Sequence, residues 1–202
     1  MLSSVEILIL SIIQGVSEFL PVSSAAHLIL VSKYYAFQNQ NLLIDICLHL
    51  GSLIAIIIYF RADLFNFINN RKFLTKIFIA TIPIIPAGYL FYKTGLINLL
   101  RNLEVVGWST LLFGILLYIS DKKEISKKIE NNFTNKSAIY FGLFQVLALI
   151  PGVSRSGITI TAGRMLGFNR FDSAKISFLL AIPALIAASA LGIYNIYKEG
   201  SA

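Results

Sequence analysis

Residues 14–27 read QGVSEFLPVSSAAH and set an acid, three serines and a histidine inside an otherwise apolar N-terminus. The residues before them, 2–13, form one apolar helical stretch. Gln14 and Glu18 are four apart, so both side chains share a helix face. Pro21 lacks a backbone N–H and disfavours helix in the residue before it, which ends the first helix near Leu20. Ser23 or Ser24 then caps a second helix. That helix starts with unpaired N–H groups and a positive dipole end, an anion site, and carries Ser24 and His27 three apart on one face. The stretch predicts a broken helix that cradles an anion.

Working outward, the chain has 202 residues, 56% hydrophobic and only 13% charged, with a mean hydropathy of +0.76. That composition excludes an ordinary soluble domain and predicts an integral membrane protein. The net charge of +7 does not read as nucleic-acid binding. Its lysines and arginines sit in short segments between apolar runs, where they orient helices and meet anionic membrane lipid. Cys47 is the single cysteine and forms no internal disulfide. The N-terminus has no basic leader region and its apolar segment already holds Gln14 and Glu18, so it is read as mature structure.

A spanning helix needs about 20 apolar residues. Residues 2–20 and 22–32, separated only by the proline break, predict a re-entrant pair. Residues 42–60, 73–92 (kinked by Pro83 and Pro86) and 103–120 predict three spans. Residues 121–136, with five lysines (122, 123, 127, 128 and 136) against Asp121, Glu124 and Glu130, predict a short, partly helical surface loop. The opening pattern then recurs. Residues 137–150 are apolar, Pro151-Gly152 breaks the run, and 153–166 resume as a helix bearing Ser154, Arg155, Ser156 and Thr159. Residues 176–197, with Pro183 inside, predict the last span.

Arg61, Arg71, Lys72 and Lys76 in one loop, and the five lysines in the other, place both loops on the cytoplasmic side and residues 33–41 outside. Gln14, Pro21 and Ser23-Ser24 are echoed by Gln145, Pro151 and Ser154-Arg155-Ser156. Three spans between the copies make them an inverted repeat whose broken helices meet near the midplane. The expected fold is therefore all-α: a single membrane domain over residues 1–202, with repeat 1 about 1–120 and a partial repeat 2 about 137–202. Glu18 and Arg155 at bilayer depth would together cost about 5–7 kcal/mol unless paired or hydrated, so they are expected to share a polar cavity. The plainer alternative is a structural ion pair joining the repeats. His49 reads as a helix-packing histidine beside the small residues Gly51 and Ser52, with Asp45 at the helix entrance. Arg164 and Arg170 flank Gly167 near an interface and read as snorkelling side chains ahead of lipid-phosphate ligands.

QGVSEFLPVSSAAHL (14–28), LIDICLHLGSLIAI (43–56), FQVLALIPGVSRSGITI (144–160), GRMLGF (163–168) and SFLLAIP (177–183) closely resemble the bacterial undecaprenyl-diphosphate phosphatases of the bacitracin-resistance type. The resemblance runs through nearly the whole chain. It implies a multi-pass enzyme of the bacterial cytoplasmic (inner) membrane that removes the terminal phosphate of undecaprenyl diphosphate. The product is the carrier lipid recycled for peptidoglycan, and the activity confers bacitracin resistance. Carried over by position, Gln14 and Glu18 are the acidic-motif pair, Ser24 and His27 the serine and histidine after it, and Ser154, Arg155 and Ser156 the diphosphate-binding string, with Thr159 and Ser23 beside it. Gln14 stands where many relatives have glutamate, and the chain lacks the usual C-terminal third.

A diphosphate needs charge neutralisation, a nucleophile and a proton source. Arg155, the helix starts near Ser24 and Ser154, and a Mg2+ or Ca2+ ion held by Glu18 and Gln14 are expected to supply the first. Ser24 is the candidate nucleophile, with His27 or Glu18 as base and His27 as later acid; attack by His27 itself, or by a water that either residue positions, is left open. The competing classes are a polyprenyl-phosphate transporter and an inactive fragment of the family. The oligomeric state is also open, a homodimer being one case.

Overall fold

The computed structural model describes residues 3–35, 42–69, 71–122 and 126–200. Residues 36–41 of the segment expected outside, and Lys123 and Glu124 of the charged linker, lie outside the described residues. The described chain is helical, with one isolated backbone bridge between Lys127 and Phe168. Helix α1 (Ser4–Ser17) starts at a capping box in which the Ser3 hydroxyl accepts from Glu6 N and the Glu6 carboxylate accepts from Ser3 N. A turn through Pro21 leads to α2 (Ser24–Tyr34). The cap of α2 is Ser23, whose φ of 63° is the one positive value at a non-glycine position among the described residues. Such a φ is uncommon away from glycine and marks a turn held by its surroundings.

Helix α3 (Leu42–Tyr59) and the short α4 (Arg61–Asn69) follow, then α5 (Arg71–Thr81) and α6 (Ile84–Lys93), which together make the span broken at Pro83. The short α7 (Leu96–Leu100) leads to α8 (Leu103–Asp121). After α9 (Ile129–Asn132) comes the second hairpin: α10 (Asn135–Val146), a 3-10 turn, the Pro151-Gly152 break and α11 (Arg155–Leu166). Helix α12 (Arg170–Gly200) closes the described chain. Residues Arg71–Lys93, Leu103–Asp121 and Arg170–Tyr194 are long and apolar enough to cross a membrane. On α8, Trp108, Leu111, Leu112, Ile115, Tyr118 and Ile119 are exposed, a face that suits lipid and not water.

Two apolar clusters hold the hairpins. Leu10 of α1, Leu28 of α2 and Leu48 of α3 form the smaller one. The larger joins Leu53 and Ile56 of α3, Phe73 and Ile77 of α5, Phe141 of α10, Ala162 of α11 and Ile176 and Leu180 of α12. The charged linker is the short, partly helical surface segment expected, with two buried side chains within it. Ile129 and Phe133 are buried, and the Phe133 ring lies 5.5 Å from Phe73 and 5.9 Å from Phe141. The two residues are four apart, so one helical turn delivers both to the core. The segment is fixed further by Ile129 N donating to Asp172 Oδ2 (3.1 Å) and by the Lys127 bridge.

Arg164 and Arg170 do not snorkel. Buried Arg164 donates from Nη1 to Phe168 O (2.8 Å) and pairs through Nε with Asp121 at 3.0 Å, while exposed Arg170 meets the same carboxylate at 2.7 Å. A buried guanidinium without that carboxylate would carry a large desolvation cost. Lys175 pairs with Asp63 at 2.6 Å, and Lys72, Lys76 and Glu130 line one cavity with Lys175. Both basic loops therefore gather at the same end of the molecule, as the charge distribution demands. At the start of α3, Asp45 pairs with Arg101 at 3.5 Å.

Candidate active site

The two hairpin breaks meet tip to tip. Ser156 Oγ donates to Leu20 O at 2.8 Å, and Ser154 Oγ lies 3.4 Å from the same carbonyl. A Cβ on Gly157 would sit 3.4 Å from Pro21 Cβ and 3.1 Å from Ser154 Cβ, so a side chain there would press on both breaks. The second break is propped from behind by α8: Ser109 Oγ donates to Pro151 O (2.6 Å) and Thr110 Oγ1 to Gly152 O (3.1 Å). These carbonyls have left the helical ladder and need partners in an apolar medium. Gly152 has φ 94°, and a Cβ there would lie 2.6 Å from Val106 O, so only glycine lets α8 approach this closely.

Glu18 is the hub. It is buried, and its Oε1 accepts from Arg155 Nη2 at 2.9 Å. Its Oε2 accepts from Ser24 Oγ at 2.6 Å and from Gln14 Nε2 at 2.9 Å. Arg155 is oriented in turn by Nη1 donating to Ser177 O (3.3 Å). A third element arrives that sequence reading had assigned to packing. His49 of α3 lies with Nε2 4.0 Å from Glu18 Oε2. Glu18, Ser23, Ser24, His49, Ser154 and Arg155 all line one cavity of about 200 Å³, whose other wall is Ile84, Ala148, Val153, Ala184, Leu185 and Ala188. A polar, charged floor thus faces an aliphatic wall.

Against that geometry, residues 7–202 match the family described as "Bacitracin resistance protein BacA". The chain belongs to this family. It is 57% identical to an undecaprenyl-diphosphatase of Pelagibacter ubique over 95% of this chain and 75% of the relative. It is 44% identical to one of Hahella chejuensis over 91% and 73%, and 40% identical to one of a Ruegeria species over 92% and 74%.

Within this BacA-family fold, the residues singled out in the sequence divide into two groups. Glu18, Ser23, Ser24, Ser154 and Arg155 come together at the cavity. His27, Ser156, Thr159 and Gln14 do not line it. His27 is exposed on α2, its Nδ1 2.9 Å from Ser23 O, within its own helix turn. Thr159 and Ser156 are almost wholly buried; Thr159 Oγ1 meets Ser177 Oγ at 2.7 Å, and Ser156 spends its hydroxyl on Leu20. Their hydroxyls stitch α11 to α12 and to the first break.

Gln14 sits behind Glu18, reaching Ser52 Oγ at 3.4 Å. It presents its amide nitrogen to the carboxylate, which makes it an orienting donor; its oxygen is buried without a hydrogen-bond partner. A hard divalent cation takes six or more oxygens. Glu18 and Gln14 do not meet that demand by themselves: Gln14 does not line the cavity, and both Glu18 oxygens are engaged by Arg155, Ser24 and Gln14. No group of three or more His, Cys, Asp or Glu residues that could hold a metal occurs among the described residues.

Proposed function

We propose that this protein is a membrane undecaprenyl-diphosphate phosphatase, releasing inorganic phosphate and undecaprenyl phosphate. The observation that carries the reading is the Ser24–Glu18–Arg155 constellation beneath an aliphatic wall. A hydroxyl 2.6 Å from a carboxylate is a nucleophile with its base within reach, and a guanidinium beside them suits a phosphate. The wall of Ile84, Ala184, Leu185 and Ala188 suits the prenyl end of the same molecule. A transporter needs the cation and the wall but has no chemical use for an activated hydroxyl.

In the mechanism, Ser24 Oγ attacks the terminal phosphorus as its proton passes to Glu18 Oε2. The bond from that phosphorus to the bridging oxygen breaks, and undecaprenyl phosphate leaves with the proton returned from Glu18. Water then attacks the phosphoserine, gives its proton to Glu18, and the Ser24 oxygen recovers one as phosphate departs. Arg155 neutralises charge on the equatorial oxygens. Helix α2 begins at Ser24, on the cavity, and a helix N-terminus favours an anion. His27 serves this scheme through the backbone, holding the carbonyl of the strained Ser23. Glu18 is the cavity carboxylate that would meet a Mg2+ or Ca2+ ion, whose chemistry there would be neutralisation of diphosphate charge.

The basic loops face the cytoplasm on this reading. That puts His49, about 10 Å along α3 from its first residue at 1.5 Å per residue, in the outer half of the bilayer. The test is phosphate release from undecaprenyl diphosphate by purified protein in detergent, with and without EDTA. Stoichiometric release by the wild type, and a radiolabelled phosphoserine trapped by acid quench at residue 24, is the expected result. Movement of the lipid across vesicles without phosphate release would overturn it.

A further inference from the structure

His49 is the cavity group that the phosphatase scheme leaves unused. Its Nδ1 is 2.6 Å from Asp45 O, one turn back on α3. A carbonyl only accepts, so the single hydrogen of the neutral ring sits on Nδ1 and Nε2 keeps a lone pair. That turn of α3 is itself tied down through the Asp45–Arg101 pair. Nε2 stands 4.0 Å from Glu18 Oε2. The distance is beyond a direct hydrogen bond, and both atoms are acceptors, so what satisfies them together is a donor shared between them. One water can give a hydrogen to each at about 2.8 Å. The imidazole is 29% exposed, and the cavity of about 200 Å³ that both residues line has room for a water, which takes about 30 Å³.

We propose that His49 is a water-positioning residue for the second half of the reaction: its neutral Nε2 accepts one hydrogen of the water that attacks the phosphoserine, and Glu18 Oε2 accepts the other. This deepens the phosphatase reading and rests on it. In the resting site Oε2 accepts from Ser24 Oγ at 2.6 Å and from Gln14 Nε2 at 2.9 Å. Once Ser24 carries the phosphoryl group it has no hydrogen left to give, and its place on Oε2 passes to the water. The water oxygen bonds to phosphorus as the bond from phosphorus to Ser24 Oγ breaks. One water hydrogen passes to Glu18 and on to Ser24 Oγ; the other stays on the departing phosphate. No proton moves to His49, and the ring remains neutral throughout. The first half of the reaction uses the serine hydroxyl and no water, so the role is confined to hydrolysis of the intermediate. It asks for an acceptor at that position. Glutamine, of similar reach and with a carbonyl oxygen, can fill it; leucine cannot.

The experiment is rapid acid quench of wild type, His49→Gln and His49→Leu in detergent with undecaprenyl diphosphate labelled in its terminal phosphate. It follows undecaprenyl phosphate, free phosphate and protein-bound phosphoserine in the same samples. His49→Leu is expected to form undecaprenyl phosphate in a burst of about one per protein, at a rate within about fivefold of the wild-type first step, and then to release phosphate about 10- to 100-fold more slowly than wild type, the scale of a misplaced reactant. Phosphoserine accumulates in that variant. His49→Gln is expected to bring phosphate release back to within about fivefold of wild type. Three results would overturn the proposal: phosphate release in His49→Leu at the wild-type rate, a burst slowed as much as the release, or a His49→Gln chain as slow as His49→Leu. The wild type reads the parent idea separately. If it forms neither undecaprenyl phosphate nor phosphoserine, the phosphatase reading falls and takes this role with it; if it forms both and the variants fail as above, the role alone falls. The burst doubles as the check on folding, since an unfolded chain gives none, and His49→Phe, a flat ring without a nitrogen, repeats the acceptor-free arm should the leucine chain melt early.

Discussion

The two hairpin breaks use the same residue types for opposite ends. In the first, the Ser24 hydroxyl points at a carboxylate in a cavity, held there by a turn whose capping serine has φ 63°. In the second, the Ser156 and Thr159 hydroxyls are consumed by Leu20 O and Ser177, and the carbonyls of the break are covered by Ser109 and Thr110. One break keeps its oxygen available for chemistry; the other uses its oxygens as fasteners and contributes one cation. The difference teaches that a serine-rich break in an apolar helix announces polarity at depth, and that only the partner of each hydroxyl says whether it can react.

Substitutions test this division, starting with the largest effect. Ser24→Ala is expected to lower turnover of undecaprenyl diphosphate by about 10³-fold or more while leaving the melting temperature within a few degrees; near wild-type release of phosphate would end the division at once. Glu18→Gln keeps the shape but removes the base and the anion beside Arg155, and a loss of about 10²- to 10³-fold in kcat is expected. Gly152→Ala touches no reacting group. It is expected to cost about 1–3 kcal/mol through the left-handed backbone and the contact with Val106, read as a lower denaturation midpoint and yield. Ser156→Ala is the mildest: about 1 kcal/mol for one lost hydrogen bond, with turnover within about tenfold. If Ser156→Ala were as inactive as Ser24→Ala, the second break would have to be counted among the reacting groups.

Much of this was legible in the chain. Pro21 and Pro151-Gly152 located both breaks, and the cost of burying Glu18 and Arg155 is enough to bring them together, as their 2.9 Å contact bears out. Both readings of that pair hold, since it joins the hairpins and also floors a cavity. His49 was not legible as a site residue because one histidine on an apolar helix looks like packing; its contact to Glu18 depends on how α3 leans against α1. A weak signal was present in Asp45, four residues earlier, whose carbonyl could fix the ring. The exposed, partly helical character of the linker was legible; its two buried side chains, Ile129 and Phe133, were hidden among the lysines although their spacing of four puts them on one side of a helical turn. Arg164 and Arg170 converge on Asp121 across more than forty residues, a pairing invisible to local pattern. Ser156 and Thr159 lie in the motif string but turn away from the cavity, and helical phase around Arg155 alone does not reveal which side faces the ligand.

The covering of the second break by Ser109 and Thr110 also bears on the order in which the protein is made. Both hydroxyls belong to α8, which leaves the ribosome some forty residues ahead of Pro151 and Gly152. Chains fold from the N-terminus as they are synthesised, so the uncovered carbonyls of Pro151 and Gly152 meet a wall that is already in the bilayer. The later hairpin is moulded against an earlier helix, and a lesion in α8 would surface as a failure of biogenesis in a segment that follows it in the chain.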